Sequence, residues 1–163
     1  MPKIHLTTVI HAPVEIVFDL SRSINLHEKS MAQTNEKAIA GTITGLIQKG
    51  ETVTWKAKHL LKVRTLQTLI TKMIPYTFFT DEMKKGDFKS MLHHHYFKPI
   101  ANGTVMIDEL YFESPYGIIG KIVNSMFLTG YMTKLITQRN NIIKEYAETG
   151  KWKTVLPQPE TVK

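Results

Sequence analysis

The chain has 163 residues, 42% of them hydrophobic, with 21 Lys and Arg against 14 Asp and Glu for a formal charge of +7. One domain of that length buries roughly 70% of the surface its unfolded chain exposes, enough to support a core. The lack of cysteine excludes disulfides, Cys-ligated zinc, iron–sulfur clusters and a Cys nucleophile. The opening Met-Pro-Lys-Ile-His-Leu-Thr does not have the shape of a signal peptide, and no run of ~18 apolar residues follows, so a cytoplasmic chain without a transmembrane segment is expected.

Residues 3–10 alternate Ile4 and Leu6 with His5 and Thr7, the period-2 pattern of a strand. Pro13 then opens a short helix, because proline in the first turn forfeits only an N–H that has no partner there. Val14, Val17, Phe18 and Ser21 share one side of it. A second short helix is expected near 22–29 and a strand at 35–42. Thr52 to Leu60 puts Val53, Trp55, Ala57 and His59 on one face and Thr54, Lys56 and Lys58 on the other, a strand with one wet face. Further strands are predicted over Val63 to Met73, Tyr76 to Met83, Phe88 to Lys98 and Thr104 to Glu113, with the pair Asn102 and Gly103 marking a hairpin. Ser114 and Pro115 supply an N-cap and a first helical residue. The apolar spacing from Ile118 to Tyr146 stays helical until Gly150, so one helix of about 50 Å closes the domain. Residues 1–150 read as a single domain and 151–163, with Pro157 and Pro159, as a frayed tail.

Five segments carry a family resemblance: the stretch from Ile10 to Leu20 with its Ala12, Pro13, Val17 and Phe18; Gly50 to Trp55; His93 to Phe97; Gly103 to Asp108; and Ser114 to Gly117. Arg139, Asn140 and Lys144 on the last helix add to it. In this order, across almost the whole chain, they resemble the SRPBCC superfamily (START, polyketide cyclase and birch-pollen-allergen-like proteins). The resemblance implies an α+β helix-grip fold: a curved antiparallel sheet of about seven strands wrapped around a long C-terminal helix, with two short helices after the first strand. It also implies an internal cavity for lipids, polyketides or other apolar molecules. It implies no shared active site, since one fold hosts many functions.

Strand parity sorts the chemistry. His93 and His95 share a face with Met91 and Phe97, while Asp108 shares one with Met106, Leu110 and Phe112. Three readings of these groups stand side by side: a buried polar network with every group satisfied, polar anchors in an apolar ligand pocket, or acid and base for a dehydration or cyclisation. The expected ligand-binding set is Trp55, His59, Met91, His93, His95, Phe97, Met106, Asp108 and Phe127. If the chain is an enzyme of polyketide cyclase type, His93, His95 and Asp108 carry the chemistry. The His-x-His spacing suits zinc, with Asp108 or His59 to complete a site, but no His-Glu-x-x-His helix accompanies it, so neither metal nor cofactor is expected. Lys56, Lys58, Lys62, Arg64 and Lys72 make the sheet exterior basic; no base-stacking or helix-turn-helix signature joins them, so a solvated face is expected rather than a specific nucleic-acid surface. The expected partner is a hydrophobic small molecule. An exposed apolar patch on the long helix would instead mark an interaction protein. Oligomeric state is not readable from the sequence.

Overall fold

A computed structural model describes residues 1–114 and 118–158, with the backbone alone over 118–124. The expected Ser114–Pro115 helix start and the apolar side chains from Ile118 to Val123 therefore fall wholly or partly outside the described residues. Seven strands, β1 (Lys3–Ile10), β2 (Lys37–Gly41), β3 (Thr52–His59), β4 (Lys62–Ile74), β5 (Phe78–Lys85), β6 (Ser90–Ile100) and β7 (Gly103–Glu113), form one antiparallel sheet in the order β1-β7-β6-β5-β4-β3-β2. The helices α1 (Val14–Ser21) and α2 (Ile24–Ser30) follow β1, and α3 (Ile118–Glu148) follows the sheet. This matches the predicted order, with two short 3₁₀ turns added at Ala32–Thr34 and Lys151–Thr154.

Local sequence explains the punctuation. Pro13 precedes the first turn of α1, and the Ser23 hydroxyl accepts the Leu26 N–H (3.2 Å) to cap α2. Register shifts that skip Ile39 in β2, Thr71 in β4 and Lys84 in β5 mark bulges, which bend and twist a strand and so help the sheet curve. The β6–β7 hairpin closes through Ala101 and Asn102, so Gly103 is already paired, with Ile100. Its lack of a side chain serves a different end: a Cβ there would stand 2.3 Å from the Ile10 carbonyl oxygen. The β3–β4 hairpin is unusual. Its two turn residues, Leu60 (φ 49°) and Leu61 (φ 68°), are both left-handed, a conformation that turns of this kind normally give to Asn and Gly.

The larger of two buried clusters lies under α1, and a smaller one gathers Ile4, Met91, Leu110, Phe112 and Ile136. Phe18 lies edge-on to Phe97 (5.2 Å) and Phe79 (5.7 Å), and Ile10, Val17, Met106 and Ile143 are buried with them. Helix α3 joins this core through Ile143 and Ala147 in its last turns, whereas Met126 and Phe127 near its start are exposed. Gly150 (φ 75°) turns the chain past the helix end as expected. Over 151–158 the expected fraying is corrected: the turn at Lys151–Thr154 brings Leu156 into the core, with Trp152 and Val155 packed beside it, while the part of the expected tail over 159–163 lies outside the described residues. The apolar positions 152, 155 and 156 find a sheltered site that the two prolines did not reveal.

Candidate functional site

Between the curved sheet and the middle of α3 lies a cavity of about 560 Å³. Val53, Trp55 and Leu66 line it from β3 and β4, and Phe79, Met91 and His93 from β5 and β6. Leu128, Met132, Leu135 and Ile136 form its roof, a stripe at the i, i+4, i+7, i+8 spacing that places them on one side of α3. The cavity exists because α1 fills only one end of the space between sheet and helix.

Two polar groups stand at its wall. The first is centred on Asp108, which is fully buried. Strand pairing sets His95 directly opposite Asp108 and His93 opposite Leu110, so both rings reach back to one carboxylate. His93 Nε2 and His95 Nδ1 donate to Asp108 Oδ1 (3.0 and 2.9 Å), and Asn140 Nδ2 donates to Oδ2 (2.7 Å). His95 Nε2 donates to Asp81 (2.8 Å), and Arg139 lies 3.4 Å from Asp108 while also bonding the Ser21 carbonyl. Ionised carboxylates only accept, so His95, held between two of them, carries both ring protons. Burial alone would lower its pKa; the two carboxylates outweigh that and raise it. Burial would likewise raise Asp108 and Asp81, but the imidazoles and Arg139 hold Asp108 well below the usual range and Asp81 below it too. His93 is the contrast. Burial, then the charge of His95, lowers its pKa, so it is neutral with its proton on the nitrogen facing Asp108. Its Nδ1 makes no hydrogen bond among the described residues, and this leaves an acceptor open to the cavity. The two positive groups balance the two negative ones within the wall.

The second group bridges the sheet edge to the helices. His27 Nε2 donates to the buried Glu36 (2.6 Å), His59 lies 3.7 Å from the same carboxylate, and His59 Nδ1 bonds the Tyr131 hydroxyl of α3 (2.8 Å). Burial would raise Glu36, but the two imidazoles bring it down to about 2.

Of the residues singled out from sequence, Trp55, His59, Met91, His93, His95 and Phe127 line the cavity. Phe97, Met106 and Asp108 do not. They face inward as their parity predicted, but Phe18 covers Phe97, Met106 is fully buried against Ser21, and the two imidazoles and Arg139 screen Asp108. The expected ligand-binding set omits Asp81, Arg139, Glu36 and Tyr131, all of which line the cavity. Asp81 could have been found, because it shares strand parity with Phe79. Arg139 lies four residues after Leu135 and four before Ile143, so helical spacing puts it on the inward side of α3, but nothing in the sequence pairs it with Asp108. Asp81, His93 and His95 each offer a donor atom, all within 4.8 Å of one another, the one such set among the described residues. A cation there must displace the His95 proton shared with Asp81, whose carboxylate the imidazolium already neutralises.

Three solved structures place this architecture. The Zhui aromatase/cyclase from a Streptomyces species superposes with a TM-score of 0.71 at 9% identity, covering 90% of this chain and 93% of that one. The helix-grip fold is the one this chain adopts. The Thermus thermophilus protein TTHA0849 superposes on the helix-grip chain with a TM-score of 0.69 at 15% identity, over 90% of this chain and all of that one. Ginseng major latex-like protein 151 from Panax ginseng follows at 0.65 and 12%, over 90% and 97%. No family model and no curated protein matches the sequence. One of these neighbours is by name an aromatase/cyclase and one a latex-like protein, and at these identities all three show the shared fold. No described helix is long and apolar enough to cross a membrane.

Proposed function

We propose that this helix-grip protein binds a hydrophobic small molecule or lipid bearing at least one hydroxyl or other hydrogen-bond donor. The observation that carries this reading is the cavity of about 560 Å³, apolar on most sides, with the free Nδ1 of His93 at its wall. A mostly apolar pocket with a few placed polar groups is the usual form of a small-molecule site. Trp55, Met91, Met132 and Ile136 supply apolar contact, the methionines adapting to ligand shape. His93 accepts from the ligand and His95 sits charged beside it. Native mass spectrometry and organic extraction of freshly purified protein should reveal a co-purified apolar molecule. Met132→Trp, which fills the space, should abolish it while leaving circular dichroism unchanged. An empty wild-type protein, with no thermal shift across a lipid and aromatic library, would sink the reading.

A second reading, an enzyme of polyketide cyclase type, is favoured by one specific feature: a neutral imidazole and an imidazolium side by side, ring centroids 3.8 Å apart, at the wall of one cavity. His93 would take a proton from substrate through Nδ1 while His95, held by Asp108 and Asp81, stabilises developing negative charge. A bell-shaped rate against pH with a poly-β-carbonyl substrate, lost in His93→Ala with the fold intact, supports it. Tight ligand binding with no turnover excludes it.

A further inference from the structure

The β3–β4 hairpin ends on Leu60 and Leu61, which are 45% and 89% exposed. Both adopt left-handed backbone conformations, rare and strained for residues with a branched side chain. A turn of this geometry is most stable with Asn and Gly. The chain instead keeps two leucines at its tip and holds them in water. Nor are they alone. His59 joins this hairpin to Tyr131 of α3, Phe127 stacks on Tyr131 at 6.5 Å, and Met126 and Phe127 are 80% and 59% exposed. Leu60 and Phe127 both line the cavity, so the two apolar projections flank one mouth. Exposed Lys56, Lys58 and Lys62 surround the hairpin tip and make no ion pair among the described residues.

We propose that Leu60, Leu61 and Phe127 insert into the surface of an anionic lipid bilayer, with Lys58 and Lys62 on its headgroups. Apolar side chains projecting from a convex tip suit the headgroup boundary, and lysines behind them reach phosphates on flexible stems. A folded protein partner would call for a flatter or concave surface with its own paired rim. The bilayer also explains the location. A molecule leaving the cavity between Leu60 and Phe127 passes into acyl chains without crossing water. That consequence rests on the ligand-binding reading above; the docking itself does not.

The test is flotation with vesicles of phosphatidylcholine containing about 30% phosphatidylserine at about 150 mM salt, where weak surface attraction is largely screened. Wild-type protein should float with these vesicles and less with pure phosphatidylcholine. The double variant Leu60→Asn/Leu61→Gly should bind at least about tenfold more weakly, from lost apolar insertion, while its melting temperature rises, because the new residues suit the turn. Phe127→Ser should weaken binding separately, and Lys58→Glu/Lys62→Glu by more than about fivefold per site. Wild-type protein that stays unbound overturns the proposal. So does a double variant that binds as tightly as wild type. A dimer on gel filtration that the double variant dissociates also overturns it, assigning the tip to a second copy of the chain. Vesicle binding with an empty cavity would uphold docking while the ligand reading fails.

Discussion

At the scale of single residues, Asp108 organises the site without touching the cavity. It receives two imidazoles, an amide and a guanidinium, and no buried polar side-chain atom among the described residues lacks a partner. Such a network is costly to break from one side, because the groups left behind stay buried and charged. Asp108→Asn should therefore cost about 3–5 kcal/mol, a fall in melting temperature on the order of 10 °C for a domain of this size. Calorimetry checks it, and a loss under ~1 kcal/mol would mean the network relaxes freely. His93→Gln should be milder, since His93 is neutral and keeps one bond. Much of this constellation was legible: period 2 gave the correct inward face for His93, His95, Asp108 and Trp55. Depth was not. Parity says which way Phe97 and Met106 point, but not that Phe18 fills the space above Phe97. Nor could parity pair His95 with Asp108, since register depends on where the β6–β7 hairpin closes.

At the scale of elements, close approach and late packing decide more than propensity. Gly103→Ala drives a methyl toward the Ile10 carbonyl at the place where β7 meets β1, and backbone cannot yield as a side chain end can. A loss of about 1–3 kcal/mol is expected, read as a lower urea midpoint with an unchanged slope. The Asn102–Gly103 signal thus found the hairpin for a partly different reason than turn geometry. The segment after α3 shows the opposite error. Two prolines suggested a loose end, yet Leu156 is buried, and Leu156→Ala should cost about 2–4 kcal/mol by leaving a cavity.

At the scale of the molecule, the buried carboxylates set the response to acid. Glu36 titrates at about 2 in the fold against an ordinary 4.5, so its contribution is complete above 4.5 and is lost as pH falls toward 2. Asp108 and Asp81, also depressed, act in the same direction. His95 works the other way: its raised pKa adds stability below about 6.5 that disappears as pH rises through the folded value. Melting temperature should drop steeply below pH ~4.5, and Glu36→Gln should flatten that slope. A wild-type profile flat from pH 5 to 3 would contradict it. The helix-grip architecture was legible because element order and one long amphipathic helix specify it; the cavity's extent was not, since it depends on how far α1 reaches. The uneven anchoring of α3 has a further consequence. Its last turns are held by Ile143, Ala147 and Arg139, whereas Met126 and Phe127 stand exposed. In amide hydrogen exchange the helix should behave as two units, with protection close to the global limit beyond Leu135 and far lower near Phe127. The way into the cavity then lies through local opening of that first unit, at a free-energy cost well below that of unfolding the molecule.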